Sequence, residues 1–439
     1  MYYQCFQTDY LKKEYFKDIT NQFASITPKN SNVININSNI TYQEIIGFGG
    51  AFTEAAAFVY HEASNKIKDQ LIKMYFDSIE GINYQLGRVV INSCDFSLHN
   101  YTYVEENDFS LATFNMERED QWTISMIRDA MKYSDLALMA APWSPPAFLK
   151  TNRSMNHGGK LIPEFFNIWA DYLIKYLDEM QKRGLKVEYL SIQNEPEANQ
   201  VWDSCLYSPE EALSFIKVLG PKLKIKHPNT KIVFLDHNRD ILVKWASALK
   251  KDKEADEYIW GFGIHWYVSE DFNALVQAKK LCPTKKILFT EGCIEGGLKL
   301  GSVTTGERYA RNIIGDFSHG CIGFIDWNLC LNKMGGPNHV GNYCDAPMII
   351  DYQTDKQLII NSSYYYIGHF SKYIKPGSVR IDSNHQSRLQ VISFKKDNEI
   401  IIVICNSEES DVEYTLLIDN NQLEGKINKH TIQTWCIKK

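Results

Sequence analysis

The stretch VEYLSIQNEPEA (187–198) shows the pattern on which the fold depends. Its first half is a short, apolar-rich run, as expected for a strand that is buried on both faces. The run then turns polar at Asn194 and Glu195, and Pro196 ends it. A helical pattern precedes it over residues 165–183, with apolar side chains recurring on one face. The segment therefore predicts a helix that leads into a buried strand.

Seven further runs of this kind lie along the chain, and helical patterns fill most of the gaps. The predicted strands cover residues 44–52, 84–93, 136–143, 187–195, 231–237, 260–267, 286–291 and 321–328. The clearest helices cover residues 65–77, 120–134, 165–183, 209–219, 239–250, 271–281 and 305–318. Eight strand–helix units predict an α/β fold, a closed (β/α)8 TIM barrel. An open doubly wound sheet is the alternative, disfavoured because no glycine-rich phosphate turn opens these helices.

The two ends of the chain have a different texture. Beyond about residue 375, β-branched runs such as EIIIVICN (399–406) alternate with Asn, Asp, Ser and Gly, which indicates an antiparallel sheet. NVININ (32–37) is also strand-like and has no partner in the barrel. We therefore expect a second, smaller β-sandwich domain built from both chain ends. The predicted limits are 1–43 for the N-terminal strands, 44–365 for the barrel and 366–439 for the C-terminal part of the sandwich.

The composition of the 439 residues is that of a globular protein, with 44% hydrophobic and 23% charged residues. The formal net charge of -6, without a basic block, gives no reason to expect nucleic acid as a partner. No apolar stretch approaches the length of a transmembrane helix, about 18 residues. The N-terminus lacks the pattern of a secretory signal. We therefore expect a cytoplasmic protein whose ten cysteines, which show no zinc-ligand spacing, are reduced core thiols.

Polar side chains cluster where the predicted strands end, which in a barrel of this kind is where the chemistry takes place. They include carboxylates, amides, imidazoles and indoles, but no lysine for a Schiff base and no His-x-His pair for a metal. This set is suited to acid–base chemistry on a neutral ligand that stacks on aromatic rings. A glycoside fits that description.

Glu195 and Glu291 end predicted strands four and seven. Strands three places apart in an eight-stranded barrel face each other obliquely across its mouth, so the two carboxyl groups can converge on one sugar. Glycoside hydrolysis with retention needs such a pair, one protonated and one ionised. Glu197, Glu295 and Asp345 are competing carboxylates that we interpret as surface groups, and Asp236 and His237 are interpreted as structural.

Eight segments resemble one known family, in order and in spacing. They are GFGGAFTEAAA (47–57), NSCDFSLHNYTY (92–103), APWSPPAFLKTN (141–152), IQNEPEA (192–198), HWY (265–267), FTEGC (289–293), DWNLCLNKMGGPNHVGN (326–342) and YYYIGHFSKYIKPGS (364–378). The family is that of the glucosylceramidase-like glycosidases, glycoside hydrolase family thirty. The resemblance implies a barrel with a β-sandwich, and a retaining double-displacement mechanism without metal or cofactor.

The resemblance also implies roles for individual residues. Glu195 is expected to be the acid/base and Glu291 the nucleophile. The residues expected to bind substrate are Asp95, Trp143, Asn194, His265, Tyr267, Trp327 and Asn342. Tyr267 is expected to donate a hydrogen bond that keeps Glu291 ionised, whereas burial and the charge of Glu291 are expected to raise the pKa of Glu195.

The expected substrate is a small-molecule or oligosaccharide β-glycoside, with a terminal β-D-glucoside favoured by the motifs around residues 93–97 and 326–329. Other activities of the same family are the alternatives: β-xylosidase, β-fucosidase and β-1,6-glucanase. A non-catalytic carbohydrate-binding protein on the same scaffold is a further hypothesis, disfavoured because a binder has no need of two opposed carboxylates. A metal-dependent barrel hydrolase is the third.

Overall fold

Eight parallel strands close into a barrel in the computed structural model, which describes residues 2–23, 32–351, 357–419 and 421–438. The barrel strands, numbered one to eight, are Gly47–Phe52, Leu86–Ile91, Ala137–Pro142, Val187–Ser191, Lys231–Asn238, Ile259–His265, Lys286–Glu291 and Gly323–Asn328. Each predicted run overlaps one of them, and strands five and six extend one residue beyond the predicted limits. The prediction of a (β/α)8 barrel is therefore confirmed, and the open sheet is wrong because strand eight pairs with strand one.

Helices surround the barrel. The described α-helices are Glu54–Glu62, Asn65–Phe76, Glu117–Gln121, Thr123–Ala130, Phe166–Lys182, Pro209–Lys226, Leu242–Leu249, Lys253–Asp256, Asn273–Leu281, Val303–Ser318 and Ser362–Ser371. Short 3-10 turns cover Thr20–Phe23, Ala147–Leu149, Pro163–Phe165 and Arg239–Ile241. The helix predicted over 120–134 is two helices, because Trp122 has a non-helical backbone. The helix predicted to end at residue 219 continues through Pro221 to Lys226.

The interior of the barrel is filled in layers by alternate residues of the strands. In strand two, Leu86 packs in the lowest layer against Met139, Tyr189, Val233, Leu288 and Ile325. Two residues further on, Arg88 points the same way and lies fully buried in the middle of the barrel. Two residues further still, Val90 packs in the layer below the mouth. The period of two therefore places one cation at the centre of the barrel.

A nine-stranded sheet joins the two chain ends. Its strands, in chain order, are Tyr2–Asp9, Glu14–Asp18, Val33–Glu44, Val379–His385, Gln390–Lys396, Glu399–Asn406, Val412–Ile418, Asn421–Ile427 and Thr431–Lys438. Tyr2–Asp9 pairs along its whole length with Thr431–Lys438, and Val33–Glu44 lies between Val379–His385 and Val412–Ile418. Tyr414 and Trp435 lie on strands that are not neighbours in this order, yet their side chains are hydrogen-bonded. The sheet therefore folds over itself to form a sandwich around its own apolar core.

The domain limits at residues 43/44 and 365/366 stay predictions. The helix Ser362–Ser371 spans the second limit, and it packs on barrel helix Val303–Ser318 and on sandwich strand Thr431–Lys438. His369 of this helix is fully buried between the hydroxyls of Thr8 and Thr434. The two domains are thus joined by a shared helix.

A small sheet that the sequence analysis missed extends the mouth of the barrel. Its strands are Cys330–Asn332, Met348–Asp351 and Gln357–Ile360. The loop between the first two strands carries Asn338 and Asn342 back over the cavity. Among the described residues, no helix has both the length and the apolar character needed to cross a membrane.

We expect Tyr414→Phe to destabilise the sandwich. The Tyr414 hydroxyl accepts a hydrogen bond from Trp435 Nε1 (2.8 Å) and donates one to Gln433 Oε1 (2.6 Å), and all three side chains are fully buried. Removing the hydroxyl leaves buried polar groups without this partner, which costs about 1–3 kcal/mol in the free energy of unfolding. The midpoint of urea denaturation measures the loss.

Tyr42→Phe is the matched control. Tyr42 belongs to the same sheet, but its hydroxyl bonds Asp382 at the exposed surface. We expect this variant to stay within about 0.5 kcal/mol of the wild type. Equal shifts for the two variants would contradict this account of the sandwich core.

Candidate active site

A cavity of about 440 Å³ opens at the C-terminal ends of the barrel strands. Its volume lies within the usual range for small-molecule sites. Eight of the nine predicted site residues line it: Asp95, Trp143, Asn194, Glu195, Tyr267, Glu291, Trp327 and Asn342. His265, the ninth, is fully buried behind the cavity wall and touches Glu195. The structure therefore brings all nine together.

Arg88 lies beneath the floor of the cavity and connects most of the polar groups there. Its guanidinium binds both carboxylate oxygens of Asp236, at 2.8 and 3.1 Å. Its Nη2 also donates to Asn194 Oδ1 at 2.7 Å and lies 3.4 Å from Glu291 Oε2. Buried charges need such partners, because burial removes their hydration. Burial alone would raise the pKa of Asp236, but the charge of Arg88 lowers it far below its usual range.

A bulge in strand five places Asp236 against Arg88. Leu235 and Asp236 both have positive φ angles (77° and 54°), and the pairing register with strand six shifts between Leu235 and His237. The bulge directs both Asp236 and the following His237 toward the site. Glu195 also has a positive φ of 46°, and its amide donates to the Asp236 carbonyl at 2.9 Å. Such backbone conformations are costly for non-glycine residues and concentrate at functional sites.

Glu291 is held by one hydrogen bond and one ion pair. Tyr267 donates its hydroxyl to Oε1 at 2.9 Å, as expected. Oε2 has no hydrogen-bond partner within the described part of the chain and faces Arg88 at 3.4 Å. Burial raises the pKa of Glu291 to about 7, against the lowering effect of His265 and Arg88. The bond from Tyr267 and the charge of Arg88 both favour the ionised form.

Glu195 has two imidazole neighbours. His265 Nδ1 lies 3.2 Å from its Oε1, and His237 Nδ1 lies 3.7 Å from the same oxygen. Burial alone would raise the pKa of Glu195, but the bond to His265 and the charges of both histidines lower it overall. The expectation of a raised pKa for Glu195 is therefore wrong. The reason is that His265 contacts Glu195, and that His237, interpreted as structural, lines the cavity.

His265 connects the two carboxylates Glu195 and Asp236. Its Nε2 forms a hydrogen bond of 3.0 Å with Asp236 Oδ1. Burial alone would lower the pKa of His265, but the charge of Glu291 and the bonds to Asp236 and Glu195 raise it to about 9. Trp266, the next residue, points the opposite way into the layer of helices, where its Nε1 donates to the Cys293 carbonyl. Trp266 thus faces away from the site, as the alternation of side chains along a strand requires.

Asp95 and two indoles form the opposite wall of the cavity. Asp95 Oδ2 accepts hydrogen bonds from Asn342 (2.9 Å) and Asn338 (3.2 Å). Burial raises the pKa of Asp95 to about 6, although both amides lower it. The rings of Trp143 and Trp327 are stacked with centroids 5.2 Å apart. This wall offers a carboxylate, amides and aromatic rings to a polyhydroxylated ring.

The competing carboxylates have partners of their own. Glu197 accepts hydrogen bonds from Lys244 and Trp245, at 2.7 and 2.6 Å. Glu295 pairs with Arg308 at 2.7 Å. Asp345 accepts from Asn361 at 2.8 Å. These contacts give each of the three a structural role, but the interpretation as a surface group is wrong for Asp345, which is buried.

The sequence analysis missed Arg88, Asn338 and the polar role of Asp236. Arg88 lies in the middle of a strand, whereas the predicted site residues were taken mainly from the ends of strands. A charged residue inside an otherwise apolar strand was the available signal, since an arginine is almost never fully buried without a partner. Asp236 gave no signal, because nothing in the sequence marks the bulge that directs it inward.

Comparison with known proteins identifies the family. Residues 45–374 match the glycosyl hydrolase family 30 TIM-barrel domain, and residues 377–435 match the glycosyl hydrolase family 30 beta sandwich domain. The chain belongs to glycosyl hydrolase family 30. The family model covers the cavity and both glutamates, and the second match covers most of the C-terminal strands of the sandwich.

Individual relatives agree with this assignment. The chain is 35% identical to mouse lysosomal acid glucosylceramidase over 401 residues, which are 85% of this chain and 77% of that protein. The crystal structure of SrfJ from Salmonella typhimurium superposes with a TM-score of 0.95 and 36% identity, covering 100% of both chains. An endo-1,6-β-D-glucanase of Neurospora crassa is 24% identical over 419 residues, 90% of this chain and 85% of that protein. As a family 30 member with glucosylceramidase relatives, this protein is a retaining β-glycosidase.

We expect Tyr267→Phe to raise the pKa of Glu291 above its value of about 7 in the wild type. The lost hydroxyl bonds the carboxyl at 2.9 Å and stabilises its ionised form. A hydrogen bond to a charged group is worth about 1.5–3 kcal/mol, or about one pH unit or more. NMR titration of protein labelled with ¹³C at glutamate Cδ measures the shift, with Glu291→Gln assigning the signal.

Tyr133→Phe, a change at the surface, is the control and should leave that titration unchanged. A Glu291 signal that titrates at the same or a lower pH in Tyr267→Phe would contradict the role given to this hydroxyl.

Proposed function

We propose that Glu291 is the nucleophile and Glu195 the acid/base of a double displacement on a terminal β-D-glucoside. The observation that carries the proposal is the different surroundings of the two carboxyl groups at one cavity. Glu291 has a cation and a phenol hydroxyl beside it, which favour the ionised form that attack requires. Glu195 is beside His265, a group able to exchange a proton with it.

In the first step, the carboxylate of Glu291 attacks the anomeric carbon while Glu195 protonates the departing glycosidic oxygen. Arg88 and Tyr267 act as positioning residues here, because Tyr267 bonds Oε1 at 2.9 Å and the guanidinium of Arg88 lies 3.4 Å from Oε2. Bond formation removes the negative charge of Glu291. In the second step Glu195, now ionised, takes a proton from water, and the water attacks the anomeric carbon from the face that the aglycone has left.

The opposite wall suits the sugar of the first subsite. Asp95 accepts hydrogen bonds from two amides through Oδ2 only, which leaves Oδ1 for sugar hydroxyls. Trp143 and Trp327 add apolar ring atoms to the lining that a pyranose would contact. Asn194 gives its oxygen to Arg88, so its amide nitrogen is available to the 2-hydroxyl, a contact that strengthens in the transition state.

The rim of the cavity favours an aglycone with apolar surface. Val201 and Val268 are 58% and 68% exposed on loops that follow strands four and six, beside cavity residues Trp202 and Tyr267. Relatives at 34–36% identity are named glucosylceramidases. We therefore favour a β-glucoside with an amphiphilic aglycone over the β-1,6-glucan of the relative at 24% identity.

The free state of the ten cysteines is consistent with a reducing compartment. All ten are buried and unpaired. Disulfides form and persist in oxidising compartments, so a chain with ten free thiols fits a cytoplasmic location. This part of the proposal rests on the thiols alone.

We expect the Glu291 and Glu195 variants to lose activity in different ways. Glu291→Ala loses turnover of an aryl β-glucoside, and azide restores it with formation of the α-glycosyl azide, because azide attacks from the vacated nucleophile side. Glu195→Ala loses more activity on glucosides with poor leaving groups than on dinitrophenyl glucoside, whose leaving group needs no protonation. Each loss on the poor substrate should exceed about a hundredfold, since acid–base catalysis contributes about 10²–10⁴-fold. Kinetics with NMR of the azide product measure both.

Glu197→Ala is the control, because Glu197 also lines the cavity but is paired with Lys244 and Trp245. We expect this variant to stay within about tenfold of the wild type. Undiminished activity of Glu291→Ala, or β-glycosyl azide as its product, would contradict the assignment.

A further inference from the structure

Three potential metal-ligand atoms meet at one side of the cavity. Glu195 Oε1 lies 3.2 Å from His265 Nδ1 and 3.7 Å from His237 Nδ1. The ligand atoms of the three residues all lie within 4.8 Å of one another. Zinc bound at about 2.0–2.1 Å to nitrogen and oxygen in a tetrahedron has ligand atoms about 3.3 Å apart. Two of the three edges are therefore already close to that spacing.

His237 supplies a separate reason to place a ligand there. It is only 7% exposed, and its Nδ1 is buried without a hydrogen-bond partner among the described residues. Buried polar atoms are almost always hydrogen-bonded, so such an atom calls for an explanation. The nitrogen points toward Glu195, and His237 and Glu195 both line the cavity. The nitrogen therefore lies just behind the cavity surface, beside a carboxylate that an ion in the cavity can reach.

His265 has the supporting contact that histidine ligands of metals usually have. Its Nε2 bonds Asp236 Oδ1 at 3.0 Å and its Nδ1 lies 3.2 Å from Glu195 Oε1, so an ion that displaces the proton from Nδ1 gains a nitrogen ligand there. A carboxylate on the far nitrogen fixes the tautomer and the ring orientation in carboxylate–histidine–zinc arrangements. Asp236 is itself fixed by Arg88.

We propose that Glu195, His237 and His265 form a binding site for one divalent transition-metal ion of the zinc class. Two imidazoles and one carboxylate are a ligand set that zinc accepts, and a fourth position is left on the cavity side for water. The nearby carboxylates of Asp236, Glu195 and Glu291 outnumber the cations Arg88 and protonated His265, and a dication that displaces the proton of His265 adds to the positive charge there.

Metal at this site inhibits the enzyme. The ion occupies the carboxylate oxygen that the proposed mechanism needs for proton transfer, and it fills the space of the leaving group. This consequence rests on the proposed function, whereas binding itself does not. A direct measurement of metal affinity tests binding separately from inhibition.

The test is calorimetric titration of Zn²⁺ into the full chain, with Co²⁺ absorption spectra as a second readout. We expect one ion per chain and a visible d–d spectrum of a low-coordinate site. His237→Asn and Glu195→Gln should each weaken binding by about 100-fold or more, because even loss of an outer-shell partner costs about 10–100-fold. His157→Asn, a change at an exposed histidine, should have no effect.

Cys293 and Cys344 line the same cavity and are the alternative ligands. Cys344→Ser should leave Zn²⁺ affinity unchanged, and the Co²⁺ spectrum should lack a sulfur charge-transfer band. Absence of binding, an affinity that His237→Asn does not change, or a strong charge-transfer band would each overturn the metal site. Binding with the expected losses but without inhibition would support the site and contradict the acid/base role of Glu195.

Discussion

A desolvated guanidinium at the centre of the barrel is the constraint on which the site depends. Arg88 is fully buried, and its charge must be balanced by groups that the surrounding strands supply. Asp236 from strand five supplies the counter-charge, and the ends of strands four and seven supply Asn194 and Glu291. One cation thus fixes the relative positions of three strands, and with them the floor of the cavity. The backbone cost of the bulge at Asp236 is offset by this pairing.

Arg88 also makes the electrostatic surroundings of Glu291 and Glu195 unequal. Arg88 and Tyr267 stabilise a charge on Glu291, whereas Glu195 is beside His265 and His237. The bond to His265 and the charges of both histidines lower the pKa of Glu195, whereas burial raises the pKa of Glu291 to about 7. The two carboxyls and His265 therefore form one coupled proton system. The proposed first step requires a proton on Glu195 and none on Glu291, so one proton must pass from Glu291 to Glu195 before it.

The sequence predicted the features that follow from apolar periodicity and from the polar residues at strand ends. All eight barrel strands, the sandwich drawn from both chain ends and nine residues of the site follow from apolar runs, their polar ends and the family motifs. What it could not predict depends on departures from regular geometry. The bulge at Leu235–Asp236 turned a residue interpreted as structural into the partner of Arg88. The pKa of Glu195 depends on His237, whose place beside Glu195 follows from the same bulge.

The central claim is that Glu291 forms the covalent bond to the sugar. Incubation with 2,4-dinitrophenyl 2-deoxy-2-fluoro-β-D-glucoside, followed by mass spectrometry of the intact chain and its peptides, tests this most directly. The fluorine slows hydrolysis of the glycosyl-enzyme, and the good leaving group lets it form. We predict one 2-deoxy-2-fluoroglucosyl group per chain, on the peptide that contains Glu291. A label on Glu195, or inactivation without any covalent label, would contradict the account.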